Sequence, residues 1–197
     1  MESNLYSIKE EEIKLDSNIT SLLIVDMQND FAHPNGALFS PASRAIIEPI
    51  KCLVEKARKN DVRIIYTQDT HFSDDPVEFP IWGKHVVKGE WGWEIISELK
   101  PDPQDIIIEK LRYDAFFGTS LDHILRMYEI KNLVITGTVA NICVLHTVSS
   151  ARLNNYNVIV PVDATSALTD FDYQLSLRQM DFLYKVTLTK EKFVIFE

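Results

Sequence analysis

Short apolar runs alternate with amphipathic, helix-like segments about six times along this 197-residue chain, and that alternation restricts the fold more than any other feature. The runs are Thr20–Val25 (TSLLIV), 62–66 (VRIIY), 105–108 (DIII), 133–136 (LVIT) and 157–160 (NVIV), with a weaker one at 185–188 and a short tail at 192–196. They are continuous rather than alternating, which suits parallel strands covered on both faces. Between them, 43–59 sets Ile46, Ile47, Ile50, Leu53, Val54 and Ala57 on one stripe. Shorter helices are expected over 91–99, 119–127, 141–153 and 172–184. The pattern predicts one three-layer α/β/α sandwich around a mostly parallel sheet of about six strands. Residues 1–19 are charged and aperiodic and read as an N-terminal arm or edge element, leaving 20–197 as a single domain.

Composition narrows the function. The chain is 46% hydrophobic and 25% charged, with no apolar run of membrane-spanning length and no export segment at its start. A net charge of −9 and scattered basic residues disfavour a nucleic-acid partner. Two cysteines, Cys52 and Cys143, are too few for a disulfide framework, which points to a reducing, cytoplasmic setting.

In an open parallel sheet, ligands bind outside the C-terminal ends of the strands. Asp26, Asp69, Lys110 and the segment 137–143 all lie at such ends. Cys143, in G-T-V-A-N-I-C-V, falls in the first turn of a helix, where the positive helix end would lower a thiol pKa. Cys52 lies mid-helix and reads as packing. A thiol nucleophile needs a proton acceptor, and Asp26 could serve, with Lys110 orienting the pair. His33, His71, His85 and His146 are also candidate bases, and position alone does not choose among them. The longest irregular stretch, 68–89, carries D-T-H (Asp69, His71) and W-G-K-H (His85), a spacing that could give an N/N/O metal site. A loop of that length is more often functional than idle.

Three motifs, D-M-Q-N-D-F, then Lys110 with R-Y-D-A-F-F-G-T, then G-T-V-A-N-I-C-V, together resemble the isochorismatase-like cysteine hydrolases, the group that includes nicotinamidases and N-carbamoylsarcosine amidases. The resemblance implies a catalytic triad of Asp26, Lys110 and Cys143. It implies a non-proline cis peptide between Val139 and Ala140, and an oxyanion hole from the Ala140 and Cys143 amides. It implies substrate-binding walls at Phe31, Trp82 and Tyr113, with Phe116 a further candidate, and Asn141 reading a carbonyl or carboxylate. By likeness to the nicotinamidase site, Asp69, His71 and His85 would bind zinc or another divalent metal, with no organic cofactor. D-T-H in place of D-W-H, Gly83 in place of Pro and Val86 in place of Cys depart from that pattern and lean toward the N-carbamoylsarcosine amidase branch. The expected activity is cysteine-dependent hydrolysis of a small amide or ureide, releasing ammonia through a thioester, in a homodimer or homotetramer. The alternatives are an isochorismatase releasing pyruvate, or an inactive binding protein with this fold.

Overall fold

A computed structural model describes residues 5–197. Its strands are β1 (Ile13–Leu15), β2 (Thr20–Val25), β3 (Arg63–Asp69), β4 (Ile106–Lys110), β5 (Asn132–Thr138), β6 (Asn157–Pro161), β7 (Thr165–Ser166), β8 (Thr187–Thr189) and β9 (Val194–Phe196). Its helices are α1 (Asn29–Ala32), α2 (Pro41–Ala45), α3 (Ile47–Lys59), α4 (Phe79–Trp82), α5 (Leu121–Met127), α6 (Leu145–Leu153) and α7 (Asp170–Phe182). The central sheet has seven strands in the order β4-β3-β2-β5-β6-β8, with β7 pairing β5, and every pairing in it is parallel. This is the α/β sandwich that the alternating pattern predicts.

The apolar runs split by parity, as a two-faced strand must. Leu23 and Val25 of β2 join a core with Leu121 and Leu125 of α5, Val148 and Ala151 of α6, and Leu177 and Met180 of α7. Leu22 and Ile24 face the opposite way, onto Ile47, Ile50, Leu53, Val54 and Ala57 of α3. Helix ends follow local chemistry. The Thr169 hydroxyl accepts from the Asp172 amide at 3.1 Å to cap α7, and Asn155, at φ 68°, takes the left-handed geometry just beyond α6.

Part of the chain ahead of β2 is an edge element: β1 pairs with β9 in a separate two-stranded parallel sheet, and the Lys9 amide donates to the Leu188 carbonyl at 2.8 Å. The expectation for the first four residues lies outside the described residues. The helix expected over 91–99 does not form. Two 3-10 turns, Trp91–Trp93 and Ser97–Leu99, flank an extended piece whose backbone is claimed by β2's exit. The Asn29 amide donates to Glu94 O at 2.9 Å, and the Ile96 amide to Met27 O at 3.0 Å. Tertiary hydrogen bonds here override local helix preference. Cys52, expected to pack, is exposed on α3. Among the described residues no helix is long and apolar enough to cross a membrane.

Candidate active site

Strand register assembles the site. Val25 lies opposite Thr67 on one side and Gly137 on the other, and Asp69 lies opposite Lys110, so four adjacent strands end at one level. Asp26 leaves β2 at φ 51°, a geometry a short polar side chain tolerates. Thr67 holds it: the Asp26 amide donates to Thr67 Oγ1 at 3.2 Å, and the Thr67 hydroxyl donates to Asp26 Oδ1 at 2.6 Å. Gln28 ties the two strand exits together. It accepts from the Asp69 amide at 2.8 Å and donates to Asp69 O at 2.9 Å and to Trp93 O at 2.8 Å.

Lys110 is buried at the centre. Its Nζ lies 2.7 Å from Asp26 Oδ2 and 3.0 Å from Asp69 Oδ1, and donates toward Cys143 Sγ at 3.6 Å. Burial works against its charge, but the Asp26 and Asp69 carboxylates outweigh that and hold the ammonium well above the usual lysine range. Asp69 stays ionised for the converse reason. Burial raises it, yet Lys110 and His71 bring it to about 2. Burial pushes the Asp26 carboxyl up against the pull of Lys110. The Cys143 thiol is also pushed well above its ordinary range, first by burial and then by the two carboxylates, with Lys110 opposing. This is opposite to the direction expected from a helix end: desolvation outweighs it.

The loop after β3 returns two imidazoles to the same edge. One ligand atom from each of Asp69, His71 and His85 lies within 4.8 Å of the others, and all three residues are buried. His71 Nε2 has no hydrogen-bond partner, while its Nδ1 sits 3.0 Å from Asp75 Oδ2. His85 Nδ1 lies 2.7 Å from Gly83 O, an acceptor that fixes the proton on Nδ1. Each imidazole thus spends Nδ1 on a second-sphere partner, as metal-binding histidines do, and His71 Nε2 lies 3.5 Å from Asp69 Oδ2. The two-nitrogen, one-oxygen donor set fits zinc or a similar divalent ion.

Cys143 opens onto a cavity of about 260 Å³ lined by Phe31, Trp82, Tyr113, Glu78, Asp69 and His85 among others. The Trp82 indole donates to the Tyr113 hydroxyl at 3.0 Å, joining two of the expected walls. Other expectations need correcting. The cis peptide lies one residue earlier than expected, between Thr138 and Val139, because β5 runs through Thr138 and the next bond turns the chain out of the sheet. Thr138, Val139 and Ile142 line the cavity, whereas fully buried Ala140 and half-buried Asn141 do not. Phe116 packs on the α5–α7 core, its ring 5.9 Å from that of Tyr156, and stays out of the wall. Neither His33 nor His146 lines the cavity: His33 stacks edge-on against Trp91, and His146 holds Ile142 O at 2.7 Å. Of the candidate histidines, His85 lines it.

Residues 20–191 match the isochorismatase domain family. The chain belongs to the isochorismatase-like cysteine hydrolases. It is 34% identical over 182 residues to the ureidoacrylate amidohydrolase RutB of Caulobacter segnis, spanning 79% of this chain and 75% of that one. Among solved structures it is similar to an N-carbamoylsarcosine amidase from Thermoplasma acidophilum, at 37% identity and TM-score 0.80 over 87% of this chain and 96% of that one. It is also similar to a pyrazinamidase of Pyrococcus horikoshii in complex with zinc, at 27% identity and TM-score 0.82 over 87% and 99% of the two chains.

Several residues that shape this isochorismatase-like site escaped the sequence reading. Neither Thr67 nor Gln28 stands out singly as a site residue in the sequence, although the period-two step from Thr67 to Asp69 puts those two side chains on one face of β3. Asp30 is buried and accepts from the Val86 amide at 2.7 Å and the Ala37 amide at 2.9 Å, so it anchors the residue after His85. In D-D-P-V-E-F-P, Glu78 is buried and lines the cavity, and the half-buried Asp75 reaches His71 Nδ1.

Proposed function

We propose that this chain hydrolyses a small amide or ureide through a Cys143 thioester, with Asp26 moving the protons and Lys110 holding the pair. The observation that carries this is the single Lys110 ammonium touching both carboxylates and the thiol. Asp26 takes the Cys143 proton as sulfur attacks the carbonyl carbon, and the carbonyl oxygen gains the negative charge. Backbone amides of the turn after β5 receive that charge. Because Val139 rather than Ala140 borders the cavity, the proposal pairs the Cys143 amide with that of Val139. Collapse breaks the C–N bond, and Asp26 returns its proton to the leaving nitrogen, which departs as ammonia. Water then attacks the thioester as Asp26 accepts a proton. The C–S bond breaks, the thiol is re-protonated, and the acid (or, from a ureide, a carbamic acid) is released.

Asp69, His71 and His85 would hold a divalent metal, zinc by donor type. Such an ion would supply a Lewis-acidic point for a substrate heteroatom. Exposed Leu168, Phe171 and Leu175 run from the cavity mouth along α7 and support a homo-oligomer, dimer or tetramer; the low cysteine count supports a cytoplasmic setting. Light scattering on the purified chain tests the assembly. For the activity, the test is ammonia release over nicotinamide, pyrazinamide, N-carbamoylsarcosine and related ureides. Release must disappear in Cys143→Ala. Pyruvate release from isochorismate that survives the same substitution would replace this reading with the vinyl-ether one.

A further inference from the structure

Three buried hydroxyls meet at the end of β5, and the chemistry proposed above uses none of them. Ser43 Oγ lies 2.7 Å from Thr138 Oγ1, Thr138 Oγ1 lies 3.3 Å from Ser166 Oγ, and Ser166 Oγ donates to Ser43 Oγ at 3.4 Å. They come from α2, β5 and β7, and the most exposed of them is only 5% accessible. Run in one direction around the ring, each hydroxyl donates once and accepts once, so the group satisfies itself. Apolar side chains of the same shape could fill this space at little cost in stability. What hydroxyls add is direction.

Their place in the chain gives that direction a target. The register of β5 with β2 ends at Gly137 and Val25, because Asp26 turns away, and among the described residues Thr138 keeps one strand partner, Ser166 of the two-residue β7. The turn that carries Val139 and Cys143 begins at the next residue. Ser43 supplies a second hold on Thr138, from a helix that is itself tied down. The Ser40 amide donates to Phe31 O at 3.0 Å, and Arg44 Nη2 lies 2.8 Å from Glu98 Oε1. Just before Thr138, the Thr165 hydroxyl donates to Gly137 O at 2.9 Å. Of the three ring members Thr138 lines the cavity, whereas Ser43 and Ser166 do not, so those two reach the reaction through it.

Resting on the amidohydrolase reading above, we propose that Ser43 is a positioning residue: with Ser166 it holds Thr138 so that the Val139 amide meets the carbonyl oxygen as that oxygen becomes an oxyanion. A side chain that only shaped the resting pocket would change substrate binding. One that aims an oxyanion donor acts on the tetrahedral species, where a small misplacement slows the reaction without loosening the substrate.

Benzamide and benzaldehyde separate the two roles. Cys143 attack on benzamide ends in ammonia release. Attack on benzaldehyde forms the C–S bond, moves the carbonyl π pair onto oxygen and passes the thiol proton through Asp26 to that oxygen; with no group to leave, the adduct stops there. Ser43→Ala should lower kcat for benzamide about tenfold with KM within about twofold of wild type, and should weaken benzaldehyde inhibition by about tenfold. Alkylation of Cys143 by iodoacetamide builds no oxyanion and should keep its wild-type rate, read by peptide mapping that sets the exposed Cys52 apart. Thr138→Ser, which keeps the hydroxyl, should lose less kcat than Thr138→Val. The inference falls, with the amidohydrolase reading intact, if Ser43→Ala keeps wild-type kcat and benzaldehyde affinity. It falls equally if alkylation slows with turnover while KM rises, the mark of a collapsed pocket, or if Thr138→Ser loses as much as Thr138→Val. Where benzaldehyde binds without benzamide turning over, its weakening in Ser43→Ala against unchanged alkylation decides alone. Absence of both ammonia release and a Cys143 adduct, or turnover that persists in Cys143→Ala, overturns both readings.

Discussion

Asp69 and Lys110 are direct register partners on β3 and β4, and the Lys110 ammonium lies 3.0 Å from the Asp69 carboxylate while also reaching Asp26 at 2.7 Å. One cation thus neutralises two buried anions from neighbouring strands and still faces the thiol. Strand register, not loop geometry, sets the distances, so the arrangement is rigid before any ligand arrives.

Replacing that cation leaves Asp26 and Asp69 facing each other without a counter-charge. Lys110→Met should lower unfolding free energy by about 3–5 kcal/mol, the usual penalty for breaking a buried pair. Urea denaturation at neutral pH measures it. A loss of under about 1 kcal/mol would mean that the carboxylates are not truly desolvated in solution.

On the proposed metal assignment, Asp75 and Gly83 orient the two imidazoles through their Nδ1 atoms. Asp75→Asn removes the charged acceptor of His71 Nδ1 and should weaken zinc affinity about 10–100-fold, the range typical of such partners. His85→Ala should abolish stoichiometric binding. Competition with a chromophoric chelator reads both, and equal affinity in all three proteins would remove the Asp69–His71–His85 assignment.

Gly137 sits at φ 107° in β5, directly beside Val25, and an added methyl group would overlap the Val25 carbonyl oxygen. Neither backbone can retreat, since both are held in the central sheet. Gly137→Ala should therefore destabilise the fold by several kcal/mol, more than the ~1 kcal/mol that ordinary glycine replacements change. A thermal melt within error of wild type would contradict the register described.

On the surface the effects are small. Asp122 is held below the usual carboxylate range, first by the Arg126 hydrogen bond at 2.8 Å, with the Tyr156 hydroxyl also donating. Its folded pKa is below the unfolded one, so its contribution is complete at neutral pH and fades as pH falls through the acid range. Solvent screening keeps it under about 1 kcal/mol. The stability gap between wild type and Asp122→Asn should narrow as pH falls from neutral through and below the usual carboxylate range; a gap that widens on acidification would reverse the sign.

Much of this was legible in residue order. The run 20–25 is β2 itself, and the stripe over 43–59 is the buried face of α3, because a period imposed by burial survives in sequence. What was lost depends on distant partners. The segment 91–99 has helical composition, but its backbone bonds go to Met27 and Asn29, which are distant in sequence and invisible in its local pattern. The thiol direction was misjudged because helix-end electrostatics is visible in a motif, whereas desolvation by neighbouring strands is not. Asp75 and Glu78 look like surface acids until the loop folds back over the sheet edge. The cis bond was placed one residue late, since β5 extends to Thr138, beyond the apolar run that marks it.

The most direct test of the central claim is intact-protein mass spectrometry of enzyme quenched during turnover of an amide substrate, followed by peptide mapping. The account predicts an acyl adduct on Cys143, absent from Cys143→Ala. Modification of the exposed Cys52 alone, or steady turnover with no covalent species and no loss in Cys143→Ala, would contradict it.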